Sequence, residues 1–181
     1  MTSVRPGGNR RIDRVLDEQY LAGLTELALA DVRALRDEAD QEETDLSYLR
    51  RLLHGRMDLV TAELARRAGG SEDKLVDELP RILADAPRQS PRGLGRHLTH
   101  EPTNTGSTRR RAEAIANADV TDLAGHDEPA LRALLAELRA EEAEVSGLRK
   151  RVQGVYDAAS AEITQRYREG RAQVQDLLQE G

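Results

Sequence analysis

The chain has 181 residues, with no Trp, Phe or Cys, only four Tyr, and about one third of its residues charged. A compact core needs large side chains to fill it, whereas a helix seam can be built from Leu, Val and Ala, so the composition points to an elongated all-α coiled-coil unit. A formal net charge of −6 argues against binding a phosphate backbone and is compatible with competing for a basic partner, while the lack of cysteine excludes disulfides and thiolate chemistry.

The N-terminus, MTSVRPGGNRR, has no apolar stretch, and no run approaches transmembrane length. We therefore expect neither a signal peptide nor a membrane span, and a cytoplasmic protein. Residues 1–10, with Pro6, Gly7 and Gly8 close together, read as disordered. From Arg11 an apolar rhythm at Ile12, Val15, Leu16 and Tyr20 predicts three helical turns ending near Gly23. So short a helix is marginal alone. It either folds back on the longer helices or docks on a partner, and we favour the partner; residues 1–25 thus form a first region.

The first long helix is expected from about Ala30 to Arg67, with Asp31 near its start and Gly69-Gly70 as its stop, giving a region 30–68. A weaker amphipathic piece follows, SEDKLVDELPRILADA, with Ser71 as N-cap and Pro80 as an interruption. The next stretch is rich in Pro, Gly, Ser and Thr, and its six arginines (Arg88, Arg92, Arg96, Arg109, Arg110, Arg111) face one acid, Glu101. Without interleaved aromatics, and inside an acidic chain, it reads as a solvated linker. With a short helix expected in RAEAIANADV, region 70–126 is a flexible connection. The second long helix starts at Asp127-Glu128-Pro129, where acids and a first-turn proline suit a helix N-terminus, and its pattern carries to about Leu178 (region 127–178). A connection of this length lets the two helices pair in either orientation.

Both long helices carry the same two strips. Glu142, Ser146, Arg149, Gln153 and Asp157 fall within a polar strip roughly 80° wide, beside an apolar strip of Val145, Leu148, Val152, Tyr156, Ala159 and Ile163. In the first helix, 99 residues earlier, the polar strip is Glu43, Ser47, Arg50, His54 and Asp58, beside Leu46, Leu49, Leu53, Met57, Val60 and Leu64. The match continues outside the strips. Arg33, Ala34, Leu35 and Glu38 match Arg132, Ala133, Leu134 and Glu137, and Gly55, Ala62, Glu63 and Arg67 match Gly154, Ala161, Glu162 and Arg166. One helix is used twice. A solvated face lets residue types drift, yet here Glu, Ser, Arg and Asp recur in phase, which a charged coiled-coil flank does not require.

The chemistry of the strip is narrow. Glu and Asp of one copy lie ~22 Å apart along the helix, too far for a hard-cation site. His54 stands where the other copy has Gln153, so it reads as an amide-like hydrogen-bonder rather than a metal ligand. Ser47 has no base positioned beside it, so no activated nucleophile is expected, and no glycine-rich phosphate loop is present; we expect no enzyme. Guanine, by contrast, suits the strip. Its O6 and N7 accept from one Arg, its N1–H and N2–H₂ edge donates to one carboxylate, and Ser with Gln or His can serve phosphate or ribose oxygens. Two matched strips fit a ligand with several guanines and two-fold symmetry, such as cyclic di-GMP.

The pattern E-x₃-S-x₂-R-x₃-Q-x₃-D, once per long helix, resembles the RsiG family of cyclic di-GMP-responsive anti-sigma factors, also known as aerial mycelium formation proteins. RRIDRVLDEQYLAGL and EETDLSYLRRLLHGRMDL look like that family too. The resemblance implies an antiparallel coiled coil holding a cyclic di-GMP dimer between its helices, and a complex that sequesters a WhiG-type sigma factor and delays sporulation genes. It implies ligand roles for Glu43, Ser47, Arg50, Asp58, Glu142, Ser146, Arg149, Gln153 and Asp157. His54 departs from the pattern but stands within the same strip, and is kept among the ligand candidates. We also expect the two acidic strips to repel each other until a ligand takes up their carboxylates. The alternative is a ligand-free coiled-coil scaffold or protein-interaction module.

Overall fold

The computed structural model describes residues 4–69, 123 and 125–171, which form a short helix α1 (Arg11–Val15) and two long helices, α2 (Leu29–Gly69) and α3 (Glu128–Arg168). The two long helices have 41 residues each, about 60 Å of rod at 1.5 Å per residue. They pack side by side along their length. Arg33 of α2 bonds Tyr167, Glu43 meets Arg149, Arg50 meets Glu142 and Arg67 meets His126. Successive positions along α2 therefore find earlier and earlier positions of α3, and the hairpin is antiparallel.

The apolar strips form the seam. Leu46, Leu49, Leu53 and Val60 of α2 and Val145, Leu148, Val152, Ala159 and Ile163 of α3 are buried, as expected from their phase, with Met57, Leu64 and Tyr156 partly buried beside them. Leu131, Leu135 and Leu138 extend the seam along the first part of α3, and Val32 and Ala39 along the first part of α2. Asp127 caps α3 by accepting from the Ala130 backbone N–H at 2.8 Å, with Pro129 in the first turn.

Three expectations change. α3 stops at Arg168 rather than near Leu178, because Gly170 takes φ +69° while the Gly170 and Arg171 amides bond back to the Tyr167 and Arg166 carbonyls. This αL closure uses the orphan carbonyls of the last turn; residues 172–178 lie outside the described residues. The helix from Arg11 is five residues long, not three turns. After it the chain winds through successive turns to Gly23, with bonds from the Tyr20, Ala22 and Leu24 amides to the carbonyls three residues back. This segment also folds back on the hairpin instead of standing out for a partner: Ile12 and Val15 are buried in the main core. Arg11 reaches Asp45 at 3.2 Å, Arg14 pairs with Glu38, and the Tyr20 hydroxyl donates to the Leu35 carbonyl and lies 3.0 Å from Glu38. A helix that short gains its order from such contacts. The amphipathic piece after Ser71, the arginine-rich linker and RAEAIANADV all lie outside the described residues, as do residues 1–3.

The ends of the hairpin are closed by two copies of one device. Arg166, 5 % exposed, donates to Glu162 at 2.7 Å and to the carbonyls of Leu24 and Leu27, each at 2.8 Å. Arg67 donates to Glu63 at 2.7 Å and to the carbonyls of Leu123 and His126 at 2.9 and 2.6 Å. Each arginine thus anchors the chain that enters the opposite helix. Arg66 also bonds Glu63; with that bond first and Arg67 adding to it, the buried Glu63 carboxyl is held down to about 2 although burial pulls the other way.

Two outcomes follow from these ends. Arg166→Met leaves the buried Glu162 with only the more distant Arg171, 3.8 Å away, and is expected to destabilise the hairpin by about 3 kcal/mol, read by urea denaturation. Because Glu63 titrates lower in the folded than in the unfolded chain, its contribution is present above about pH 4.5 and is lost as pH falls toward about 2. Melting temperature followed across that range should fall less steeply in Glu63→Gln than in the parent chain.

Candidate functional site

The two polar strips meet across the seam, and they do not repel. Glu43 Oε1 accepts from Arg149 at 2.8 Å, from Gln153 at 3.1 Å and from Ser47 at 3.0 Å. Glu142 Oε1 lies 3.0 Å from Arg50 Nε, 3.1 Å from His54 Nε2 and 2.7 Å from Ser146 Oγ. The expected repulsion is absent because each acid faces the other helix's arginine, not its acid. Opposite charges meet since the antiparallel register sets the start of one strip against the middle of the other.

The two clusters are copies of one another. Glu43, Ser47, Arg149 and Gln153 correspond, one for one, to Glu142, Ser146, Arg50 and His54 under the 99-residue shift. A local two-fold axis therefore crosses the hairpin near Leu46-Ser47 and Val145-Ser146, midway between the two ion pairs. His54 does for Glu142 what Gln153 does for Glu43, so the substitution keeps a nitrogen at the same place.

The clusters differ in exposure. The Glu43 side chain is 7 % exposed and that of Glu142 is 22 % exposed. Burial alone would raise the Glu142 carboxyl, but the bonds from His54, Ser146 and Arg50 together hold it below its ordinary value. Arg149 Nε is buried and has no hydrogen-bond partner among the described residues, an unused donor in the middle of the strip. Asp58 and Asp157 stand one turn beyond His54 and Gln153 and are exposed. Thus eight of the ten candidates converge on two carboxylate oxygens, and the two aspartates flank them.

Reading the sequence missed the role of Glu63, Arg67, Glu162 and Arg166. Their recurrence was visible, but their targets are backbone carbonyls, which any residue supplies. Beside α1 a groove of about 290 Å³ opens against α3, lined by Val15, Leu16, Asp17, Glu18, Tyr20, Leu21, Arg151 and Val155. Among the described residues no group of three or more His, Cys, Asp or Glu could hold a metal ion, and no helix is long and apolar enough to cross a membrane.

A family model described as RsiG-like matches residues 18–83 and again residues 117–181, together well over half the chain. The chain belongs to the RsiG-like family. The two matched stretches start 99 residues apart, the same shift that relates the strips and the end anchors. This is a regulatory anti-sigma family rather than a catalytic one. Among curated proteins nothing matches.

The equivalence of His54 and Gln153 has a measurable consequence. His54→Gln is expected to leave stability within about 0.5 kcal/mol of the parent chain. His54→Ala removes one of the bonds that hold the Glu142 carboxyl down, so its titration, followed by NMR, should move up toward the ordinary carboxylate range. An unchanged Glu142 titration in His54→Ala would show that the bond contributes nothing.

Proposed function

We propose that this chain is an anti-sigma factor that binds cyclic di-GMP between its two motif-bearing helices and, so loaded, sequesters a WhiG-type sigma factor to repress sporulation genes. The observation that carries this reading is the two-fold arrangement of the strips, since a two-fold nucleotide needs two equal sets of groups related in that way. Arg50 and Arg149 are the groups to meet guanine O6 and N7, and Asp58 and Asp157 to accept from the N1–H and N2–H₂ edge. Ser47, Ser146, His54 and Gln153 suit ribose and phosphate oxygens. Glu43 and Glu142 complete the set. In the free hairpin these two carboxylates hold the arginines, so the nucleotide must take over those bonds and part the strips to enter.

That exchange supplies a gate. A ligand shifts a conformational equilibrium only as far as it prefers one state. Here the loaded hairpin, with arginines on guanines and helices held further apart, presents a different surface from the closed one. The sigma factor reads the loaded form, with the groove beside α1 as part of the contact surface. The mutual satisfaction of the eight inner residues also supports a second reading, a coiled-coil scaffold that needs no ligand. A nucleotide titration separates the two.

Calorimetry is expected to show binding of cyclic di-GMP and discrimination against cyclic di-AMP, because adenine has N6–H₂ where arginine needs O6 and has no N1–H to donate. Arg50→Ala and Arg149→Ala should each cost about 1–3 kcal/mol per lost base contact and barely change helix content, since Ala is a good helix former. Fluorescence anisotropy with a purified WhiG-type sigma factor should report tighter binding as nucleotide occupancy rises. Equal affinity for the two nucleotides would defeat the base-reading assignment, and sigma binding that ignores the nucleotide would defeat the gate.

A further inference from the structure

The two-fold relation reaches past the strips and into the chain ahead of each long helix. Leu24 and Leu27, whose carbonyls hold Arg166, correspond under the 99-residue shift to Leu123 and His126, whose carbonyls hold Arg67. The chain thus enters α3 as it enters α2. Ahead of α2 lies the segment around α1, and its seat is one face of that helix. Tyr20 bonds the Leu35 carbonyl, Arg14 pairs with Glu38, and Arg11 lies 3.8 Å from Glu42 and 3.2 Å from Asp45. Steps of three, four and three residues keep Leu35, Glu38, Glu42 and Asp45 together on that face.

The same seat recurs on α3, as Leu134, Glu137, Glu141 and Glu144. It owes nothing to the E-S-R-Q-D pattern, which lies on another side of each helix. All three acids are kept although neighbouring outer residues change freely, Gln41 to Ala140 and Tyr48 to Gly147. Glu42 and Asp45 are buried where the α1 segment lies over them, whereas Glu141 is half-buried and Glu137 and Glu144 are exposed. Leu134 packs against the core and is only partly buried, and so is Leu52, in the place that Arg151 takes beside α1. Three acids around two leucines accept a short segment that carries cations and an apolar side chain.

The chain itself supplies the occupant. Arg10, Arg11 and Leu16 correspond to Arg109, Arg110 and Ile115, and the described residues resume at Leu123, the counterpart of Leu24. We infer that residues 109–116 dock on this second seat, with Arg110 against Glu141 and Glu144 as Arg11 lies against Glu42 and Asp45, and Ile115 over the leucines. Two positions depart from the first copy. Arg111 stands for the buried Ile12, and an arginine can lay its stem on apolar surface while its head stays with the acids. Glu113 stands for Arg14 and gives up the tie to Glu137. In the first copy that tie is an exposed one, with the Arg14 side chain 50 % exposed, and such ties contribute little. The seat takes up three of the six arginines of the connection and leaves residues 70–108 to join the two halves.

The chain has no cysteine, so introduced pairs joined by a short bis-maleimide report single contacts in the full chain. Arg110→Cys with Glu144→Cys is the test pair. Arg96→Cys with Glu144→Cys, from the same arginine-rich stretch but outside the repeat, is the control. Glu144 is exposed, so helix content by circular dichroism should match the parent chain in both. Linking within one molecule, followed by mass spectrometry, is expected to run about tenfold faster in the test pair, because a docked residue has a higher effective concentration than a tethered one. Adding Glu141→Lys should bring the test pair down to the control rate. Equal rates in the two pairs overturn the proposal, as does a test pair that Glu141→Lys leaves unchanged. Links that form only between two molecules overturn it too, and give the seat to a second copy of this chain.

Discussion

Two carboxylate oxygens hold the register of this hairpin. Glu43 and Glu142 each collect an arginine and a nitrogen donor from the opposite helix and a serine from their own. A seam of Leu, Val and Ala is permissive, because sliding by one heptad sets apolar groups against apolar groups again. Partly buried charges are not permissive. A slip by one heptad would leave Glu43, which is nearly inaccessible to solvent, without its arginine, and an unpaired charge in that position costs several kcal/mol. The apolar strips supply the attraction, and the crossed ion pairs choose among the alignments that attraction allows.

The end anchors extend the same logic. Arg67 and Arg166 do not reach across to acids but to the carbonyls of the chain that enters the opposite helix. This ties the start of each long helix to the end of the other, so the antiparallel arrangement is held at both extremities as well as at its centre. Over the seam, the segment around α1 covers buried acids: Arg11 lies against Glu42 and Asp45, and Asp13 gathers the Arg10 side chain and the Arg5 amide. Four ties related by the local two-fold axis, two at the centre and two at the ends, thus define the hairpin, and the N-terminal segment marks one of its sides.

A nucleotide site on such ties, as proposed, would have a particular character. The groups best suited to a guanine nucleotide are already hydrogen-bonded, so the free protein keeps them ordered and close to neutral in charge. Under the proposed reading, a nucleotide would exchange one set of charge-assisted bonds for another rather than create them from solvent. Net affinity would then be a difference between two similar quantities, sensitive to small changes beside the inner eight residues, where the exposed Asp58 and Asp157 stand. Arg149 Nε is buried and has no hydrogen-bond partner among the described residues, so it would be a donor open to such a ligand.

What the residue order determined by itself is everything that lies within one helix. The fixed rotation and rise of the α-helix place Glu43, Ser47 and Arg50 on one side and Leu46, Leu49 and Leu53 on the next, whatever else the chain does. The 99-residue repeat, the start of the second long helix at Asp127-Glu128-Pro129 and the family likeness were legible for the same reason. What only the tertiary structure decided is whatever passes between helices. A connection of some 60 residues permits either orientation, so the sequence could not say that Glu43 would meet Arg149 rather than Glu142, and like-charge repulsion was as readable as attraction. The acceptors of Arg67 and Arg166 are peptide carbonyls, which carry no signature in the side-chain sequence. The fold-back of α1 depended on arginines finding acids 24 to 34 residues away, a distance over which chain geometry imposes no phase, and so only packing could place it.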